Sequence, residues 1–194
     1  MTKASHTNTG KTNGAACTAP IPPGTRRVVA PGVDLEYPAV IYPTRRLFEM
    51  LGEGQLRRLV QRHHERLRDS RIGHLFAADP EAFERSVTRI ADYVIEACGG
   101  PARYTQANGI ACIRTRHFPH SIDEAAREVW LHELAIALRE VDFPLNLMRE
   151  LWEWLESMSI RMINRRTAKK QPARWPFERM RTTLQARDAG VGST

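Results

Sequence analysis

The sequence predicts an all-α fold, and three observations support this prediction. Apolar residues recur at helical spacing through the central part of the chain, and no segment combines strand-like alternation with hairpin turns. Helix ends are also marked, by Pro80 before one apolar stripe and by Gly99-Gly100-Pro101 after it. About five helices joined by connections of uneven length favour helices that cross at steep angles around a pocket over a regular four-helix bundle.

The first two helices are predicted between Thr44 and the pair Asp69-Ser70. Gly52 and Gly54 break this region into a short helix and a longer one, because glycine weakens a helix interior. The next helix covers residues 80–98. Its apolar residues recur on one face: Phe83, Val87, Ile90, Ala91, Val94 and Ile95.

Residues 99–120 are predicted to be mostly loop, with a short helix near 102–108. Ser121 has the type and position of an N-cap, and Glu124 three residues later completes a capping-box pattern. The helix that follows is expected to reach Val141. Pro144 opens a last helix with a long apolar stripe: Leu147, Leu151, Trp154, Leu155, Met158, Met162 and Ile163.

The chain of 194 residues suits one domain with extensions. We divide it into a disordered polar and basic tail (1–30), an extended pre-helical segment (31–43), the helical domain (44–167) and a basic C-terminal extension (168–194). This division rests on a lack of hydrophobic periodicity in the tail and on prolines in the segment that follows.

The net charge of +7 belongs to the two ends of the chain. Residues 1–30 carry +4 and residues 165–194 carry +6, which leaves −3 for the body. Basic tails can contact nucleic acid or an anionic membrane, but such runs are more often solvated, and an acidic body without a recognition motif argues against a nucleic-acid-binding protein.

No apolar stretch is long enough to span a membrane, and the N-terminus has no apolar signal region. The three cysteines, Cys17, Cys98 and Cys112, cannot all pair within one chain and lack metal-ligand spacing. These features predict a cytoplasmic protein without a disulfide framework. Either a monomer or a homodimer is compatible with them.

Seven histidines are present, six of them in the body, and residue chemistry alone does not select a metal ligand among them. The segment from Gly99 to Trp130 carries a more specific signal. Its marked elements are Gly99-Gly100-Pro101, Tyr104, Gly109, Arg114-x-Arg116-His117-x-Pro119, Ile122 and Trp130. In residue type and ungapped spacing this segment resembles the truncated haemoglobins, most closely their group II branch, and the resemblance extends over about residues 45–166.

The resemblance implies a two-over-two helical sandwich around haem b, with His117 as the proximal ligand to iron. Iron needs a neutral imidazole nitrogen, which histidine supplies near neutral pH. The alternative is that His117 only caps a helix. Arg114 or Arg116 would bind the anionic haem propionates, and Tyr104 would add a hydroxyl or simply pack.

On the distal side the resemblance implies a pocket lined by Phe76, Ser86, Ile90 and Trp130. The family often has tyrosine where Phe76 stands, so one donor is missing here. The indole N–H of Trp130 would donate to bound oxygen, although Trp130 can also be plain core. Ser86 would leave room and Ile90 would set access, and both can equally be ordinary helix residues.

The main departure from the family is the pair His63-His64, where an aromatic residue and a tyrosine are usual. Counting from Leu59-Val60 puts His64 at the tyrosine position, whereas counting back from Asp69 puts His63 there. We favour His64, because an alignment within one helix should have no gap. Consecutive residues lie about 100° apart on a helix, so only one of the pair can face the iron, as a donor, a proton relay or a sixth ligand.

The function that the resemblance implies is binding of a diatomic gas (O2, NO or CO) by haem iron, as in oxygen transport. NO dioxygenase or peroxidase-like turnover would need electrons from an unidentified reductase, since this chain has no length for a reductase domain. The alternative is a six-coordinate haem protein for redox or gas sensing that does not turn over substrate. The basic tails would then dock its partner.

Overall fold

The structure is a computed structural model that describes Arg26–Arg27 and residues 35–191, with side chains described from 35 to 185. This part of the chain contains seven α-helices and one turn of 3-10 helix, Gly73–Leu75. The helices are α1 (Arg45–Arg68), α2 (Pro80–Ala97), α3 (Arg103–Asn108), α4 (Ile113–Arg116), α5 (Glu124–Glu140), α6 (Leu145–Ile160) and α7 (Phe177–Val191). The all-α prediction is confirmed.

A kink divides α1 where the sequence predicted a break between two helices. Gly52 has φ 70° and ψ 174°, a conformation that glycine adopts without the steric cost of a side chain. The helix ends at Arg68 with Asp69 as its C-cap, as expected. Its buried residues beyond the kink, Leu56, Leu59 and Val60 among them, face α2 and α5.

Helix α2 begins with Asp79, whose carboxylate accepts a hydrogen bond from the backbone N–H of Ala82 at 2.7 Å. Its apolar face is buried as predicted, except that Ile90 is only half-buried. The helix stops at Gly99, where φ is 92° and a Cβ would lie 2.8 Å from the Cα of Arg45. Glycine there allows the turn after α2 to pack against the start of α1.

The N-cap of α5 is Asp123, not Ser121, which corrects the capping-box prediction. The Asp123 carboxylate accepts from the backbone N–H of Ala126 at 2.7 Å. Glu124 is therefore the first helical residue, and its carboxylate binds Arg166 and Thr167 instead of the helix start. The pattern misled because two candidate caps, a serine and an aspartate, stand two residues apart, and the ionised one accepts more strongly.

Helix α6 is buried on more than one face. Of the predicted stripe, four residues are buried and three are half-buried: Leu147, Leu151, Trp154 and Ile163, then Leu155, Met158 and Met162. The helix ends at Ile160, before the last two of the predicted residues, and it is not the last helix, because α7 follows it. Trp152 and Glu156 are also buried. The cause is the C-terminal extension, which packs on α5 and α6 and buries Trp175 and Phe177. The indole N–H of Trp152 donates to the carbonyl of Trp175 at 2.7 Å.

The segment before α1 also packs on the domain. Leu35, Val40 and Tyr42 are buried, and Val40–Ile41 forms a two-residue antiparallel ladder with Arg26–Arg27 that the sequence did not predict. The backbone N–H of Glu36 donates to the side chain of Gln171, so the segments before and after the helical body meet. Apart from Arg26–Arg27, residues 1–30, which were predicted to be disordered, lie outside the residues that the structure describes.

Cysteine chemistry differs from the expectation. Cys98 is a buried free thiol, whereas Cys112 is disulfide-bonded. A disulfide at Cys112 is contrary to the prediction of a protein without a disulfide framework, and the argument from cysteines for a reducing compartment loses its support. Among the described residues, none of the helices is both long and apolar enough to cross a membrane.

Candidate functional site

His117 lies at the C-terminal end of α4, a helix that the sequence did not predict. Its Nδ1 is 2.7 Å from the carbonyl oxygen of Ile113, four residues earlier. Because a carbonyl only accepts, the proton sits on Nδ1 and the lone pair of the neutral ring is on Nε2. Burial lowers the pKa of His117, so the ring is neutral near pH 7. A neutral imidazole with a fixed tautomer is what a metal ligand requires.

Asn164 fixes the chain around His117. Its side-chain amide donates to the carbonyls of His117 at 2.9 Å and His120 at 2.7 Å. Its side-chain oxygen accepts from the backbone N–H of Ile122 at 2.9 Å. One side chain therefore holds the turn after α4 against the end of α6.

The two adjacent histidines on α1 are both buried but point in different directions. Nε2 of His63 donates to the backbone carbonyl of Trp130 at 3.1 Å, and the two rings meet edge to face with centroids 4.8 Å apart. Nδ1 of His64 donates to the carbonyl of Val60 at 2.8 Å, which leaves the lone pair on Nε2. Nε2 of His63 is thus bonded to α5 and the lone pair of that ring is on Nδ1, whereas the lone pair of His64 is on Nε2.

His64 and His117 lie near enough to influence each other. Burial is the main cause that lowers the pKa of His64, and the charge of a protonated His117 lowers it further. The pKa of His63 is lowered well below its usual value, mainly by burial and then by His64. All three imidazoles are therefore neutral near pH 7, and two of them offer Nε2 lone pairs in one region of the fold.

The side chains predicted to line the distal pocket are half-buried, and two of them, Phe76 and Trp130, contact the histidines. Phe76, Ile90 and Trp130 are half-buried and pack against the main core cluster. The rings of His64 and Phe76 are perpendicular, with centroids 6.0 Å apart. Ser86 is also half-buried and stands four residues before Ile90, so both project from one face of α2.

The three residues predicted to bind propionates lie on the side of His117. Arg114 and Arg116 are exposed, and Arg116 donates to the carbonyl of Asn108 at 3.0 Å. Tyr104 is buried, and its hydroxyl has no hydrogen-bond partner in the structure. The Arg116 guanidinium lies 5.7 Å from the centroid of the Tyr104 ring. An orphaned hydroxyl beside an arginine is a polar environment that fits an anionic group.

Sequence reasoning missed two residues that shape this site. Tyr37 lies between two guanidinium groups, with Arg114 at 5.7 Å and Arg161 at 5.4 Å from its ring centroid. Ile113 orients His117 through its carbonyl, which no side-chain pattern reveals. An aromatic residue in a proline-rich segment just before the helical body was the available signal for Tyr37.

Comparisons with known proteins show the family and the fold of the chain. The model of the bacterial-like globin family matches residues 46–164. The group 2 truncated hemoglobin YjbI of Bacillus subtilis is 26% identical over 121 residues, which cover 62% of this chain and 90% of that protein.

Solved structures give the same result. Phosphate-bound Hell's gate globin IV is 42% identical, covers 81% of this chain and 99% of its own, and superposes with a TM-score of 0.76. The truncated oxygen-avid haemoglobin of Bacillus subtilis is 25% identical, covers 61% and 98%, and has a TM-score of 0.57. The predicted truncated-globin fold is confirmed, and so is the resemblance to group II.

Proposed function

Because the chain belongs to the bacterial-like globin family, we propose that it binds haem b through His117 and takes a diatomic gas on the opposite face of the iron. The observation that carries this proposal is the hydrogen bond from Nδ1 of His117 to the Ile113 carbonyl at 2.7 Å. It assigns the lone pair to Nε2 and fixes the ring plane. Asn164 supports the same residue by holding its backbone.

The residues near His117 fit the anionic edge of the cofactor. Arg114 and Arg116 supply charge-assisted donors for the propionates. Tyr104 supplies a buried hydroxyl that the protein leaves unpaired. His117 would hold haem through its imidazole, and these residues would hold the anionic propionates.

On the distal side, His64 donates to or exchanges protons with a bound gas, and Phe76 and Ile90 exclude water. Trp130 and Ser86 complete the wall, and His63 supports it through its bond to the Trp130 carbonyl. When bound, haem supplies reversible O2, NO or CO binding and, with electrons from a reductase, NO dioxygenation or peroxide turnover. The oxygen-avid description of the Bacillus subtilis haemoglobin supports O2 as a ligand.

A second candidate is a six-coordinate haem protein for redox or sensing. The observation in its favour is that Nδ1 of the buried His64 donates to the Val60 carbonyl, which leaves the lone pair of this ring on Nε2. Two neutral imidazoles could then bind iron from opposite faces, and the gas would have to displace His64.

The test is the optical spectrum of the purified, haem-reconstituted protein and of His117→Ala, in ferric, ferrous and CO-bound states. Loss or strong alteration of the Soret band in His117→Ala supports proximal ligation. The matched control is His120→Ala, an exposed histidine three residues away, which should keep the wild-type spectrum. A wild-type protein that takes up no haem would refute the proposal. A low-spin ferrous spectrum without gas would favour the six-coordinate candidate.

A further inference from the structure

A basic face surrounds the proposed haem edge, and it is built from two separate parts of the chain. The first part is residues 99–121, which include Arg114 and Arg116, and the second is residues 161–177. Neither part contains an aspartate or a glutamate. Arg103 and Arg174 are exposed cations that pair with Glu53 and Glu156, outside the two parts. The other exposed cations of this basic face are Arg114, Arg116, Arg165, Lys169 and Lys170.

Hydrogen bonds join the two parts into one surface. The backbone N–H groups of Asn164 and Arg165 both donate to the carbonyl of Ile122 at 3.0 Å. The Arg165 guanidinium donates to the hydroxyl of Ser121 at 3.3 Å. The Arg166 guanidinium donates to the carbonyl of Lys170 at 3.0 Å, which keeps the lysine pair next to this contact.

The nearby carboxylates do not neutralise the face. Glu124 is bound to Arg166, and Asp123 caps α5. Glu36 is exposed near Gln171 and contributes a single negative charge at the margin. Among the described residues, the five exposed cations of the basic face therefore outnumber Glu36, the exposed carboxylate at its margin.

Two exposed apolar side chains accompany these cations. Phe118 is 57% exposed and Ile110 is 41% exposed. A positive rim around apolar groups is typical of a transient protein interface, because an acidic partner with an apolar centre matches both features. Phe118 immediately follows His117, so the apolar centre of this surface coincides with the proximal side of the site.

We propose that the basic face docks an acidic electron-donor protein, which delivers electrons at the haem edge. This inference rests on the proposed haem site and names the chemistry of the reductase that it requires. In the step itself, a reduced acidic flavoprotein loses one electron and ferric iron gains it, with no bond formed or broken. Electrostatic attraction raises the rate of encounter, which salt then lowers.

The experiment measures the rate at which a reduced acidic flavodoxin-type protein reduces the ferric, haem-loaded protein under CO. We expect the second-order rate to fall about tenfold between roughly 20 and 200 mM ionic strength. The double variant Lys169→Glu/Lys170→Glu should lower the low-salt rate by about tenfold and flatten the salt dependence. Its haem content and CO spectrum should match the wild type, because neither lysine side chain contacts the proposed haem site.

The control is Arg58→Glu, a charge reversal of the same kind away from the basic face. Arg58 is an exposed cation that donates to the carbonyl of Val141 at 3.4 Å, beyond the far end of α5. That end lies about 25 Å along the helix from Glu124, at 1.5 Å per residue. Reduction of this variant should match the wild type at every salt concentration.

The outcomes separate the two proposals. Absence of haem uptake would sink the proposed function and this inference together. Normal haem uptake and normal reduction by dithionite, combined with flavoprotein rates that neither salt nor the lysine reversal changes, would overturn the docking surface alone. Binding of DNA or anionic vesicles that competes with the flavoprotein and is abolished by the lysine reversal would also overturn it, because the face would then serve another partner.

Discussion

The guanidinium of Arg114 lies 5.7 Å from the ring centroid of Tyr37, a residue outside the part of the chain that matches the globin family. The same ring meets Arg161 at 5.4 Å, and Arg161 donates to the neighbouring carbonyl of Pro38 at 2.8 Å. Cation–π contact at these distances holds an arginine in place. The pre-helical segment therefore supports a residue of the proposed haem site.

Replacing Tyr37 should speed haem loss. We expect Tyr37→Ala to raise the rate of haem dissociation about two- to fivefold, which corresponds to the roughly 0.5–1 kcal/mol of an exposed cation–π contact. Transfer of haem to an excess of apomyoglobin measures this rate. Tyr37→Phe keeps the ring and should stay within about twofold of wild type. Equal haem loss from all three proteins would contradict the role given to Tyr37.

Much of this architecture could be predicted because it is local. The kink at Gly52 and the stop at Gly99 depend on backbone chemistry that glycine reveals in the sequence. The N-cap of α5 was misplaced at Ser121 because two cap-forming residues compete within one turn. Helix α4 was missed because four residues carry no measurable period.

The family pattern predicted which residues belong to the candidate site but not the directions of their side chains. His117, Arg114 and Arg116 follow from the motif. Counting residues favoured His64 over His63 at the distal position but did not decide between them. The direction of each ring depends on the carbonyl to which it donates, Trp130 for His63 and Val60 for His64, and such contacts leave no pattern in the sequence.

The two distal histidines should respond differently to substitution. His64→Leu removes the imidazole whose Nε2 carries the lone pair, so we expect CO to associate with ferrous protein about tenfold faster if His64 binds or blocks the iron. His63→Leu removes the bond to the Trp130 carbonyl and should lower the free energy of unfolding by about 1–2 kcal/mol. Flash photolysis and urea denaturation measure the two effects. An equally large change in CO association for His63→Leu would reverse the assignment.

The C-terminal extension is attached through a buried ionic cluster. Glu156 accepts from Arg127 at 2.7 Å and from Arg174 at 2.7 Å, and also from the backbone N–H of Trp175 at 3.1 Å. The side chains of Arg127 and Glu156 are 1% and 3% exposed. An unpaired charge at such a position is costly, so removal of one partner weakens the whole fold.

Glu156→Ala should therefore lower the free energy of unfolding by about 3–5 kcal/mol, because Arg127 stays buried without its partner. Glu153→Ala is the control from the same helix. Glu153 pairs with Arg149, but its side chain is 57% exposed, so its loss should cost less than about 0.5 kcal/mol. Urea denaturation of both variants gives the comparison. Similar losses of unfolding free energy in the two variants would show that the buried pair of Glu156 and Arg127 stabilises the protein no more than an exposed pair.

The contact between Glu124 and the chain after α6 should make stability depend on acid. Burial alone would raise the pKa of Glu124, but hydrogen bonds from Thr167 and Arg166 outweigh it and lower the pKa from 4.5 to about 2. A carboxyl whose pKa is lowered by folding stabilises the protein above its unfolded pKa, and this contribution is lost as pH falls from 4.5 towards 2. For a largely buried side chain the contribution is on the order of 2 kcal/mol.

Glu124→Gln should thus be less stable than wild type at about pH 6, and the difference should shrink steadily below about pH 4. Introducing the same change into Arg166→Gln/Thr167→Val should have a smaller effect at about pH 6, since both side-chain donors to Glu124 are gone and the backbone N–H of Thr167 remains. A difference between Glu124→Gln and wild type that stays constant from about pH 6 to about pH 2.5 would show that the Glu124 carboxylate gains nothing from its ionised form.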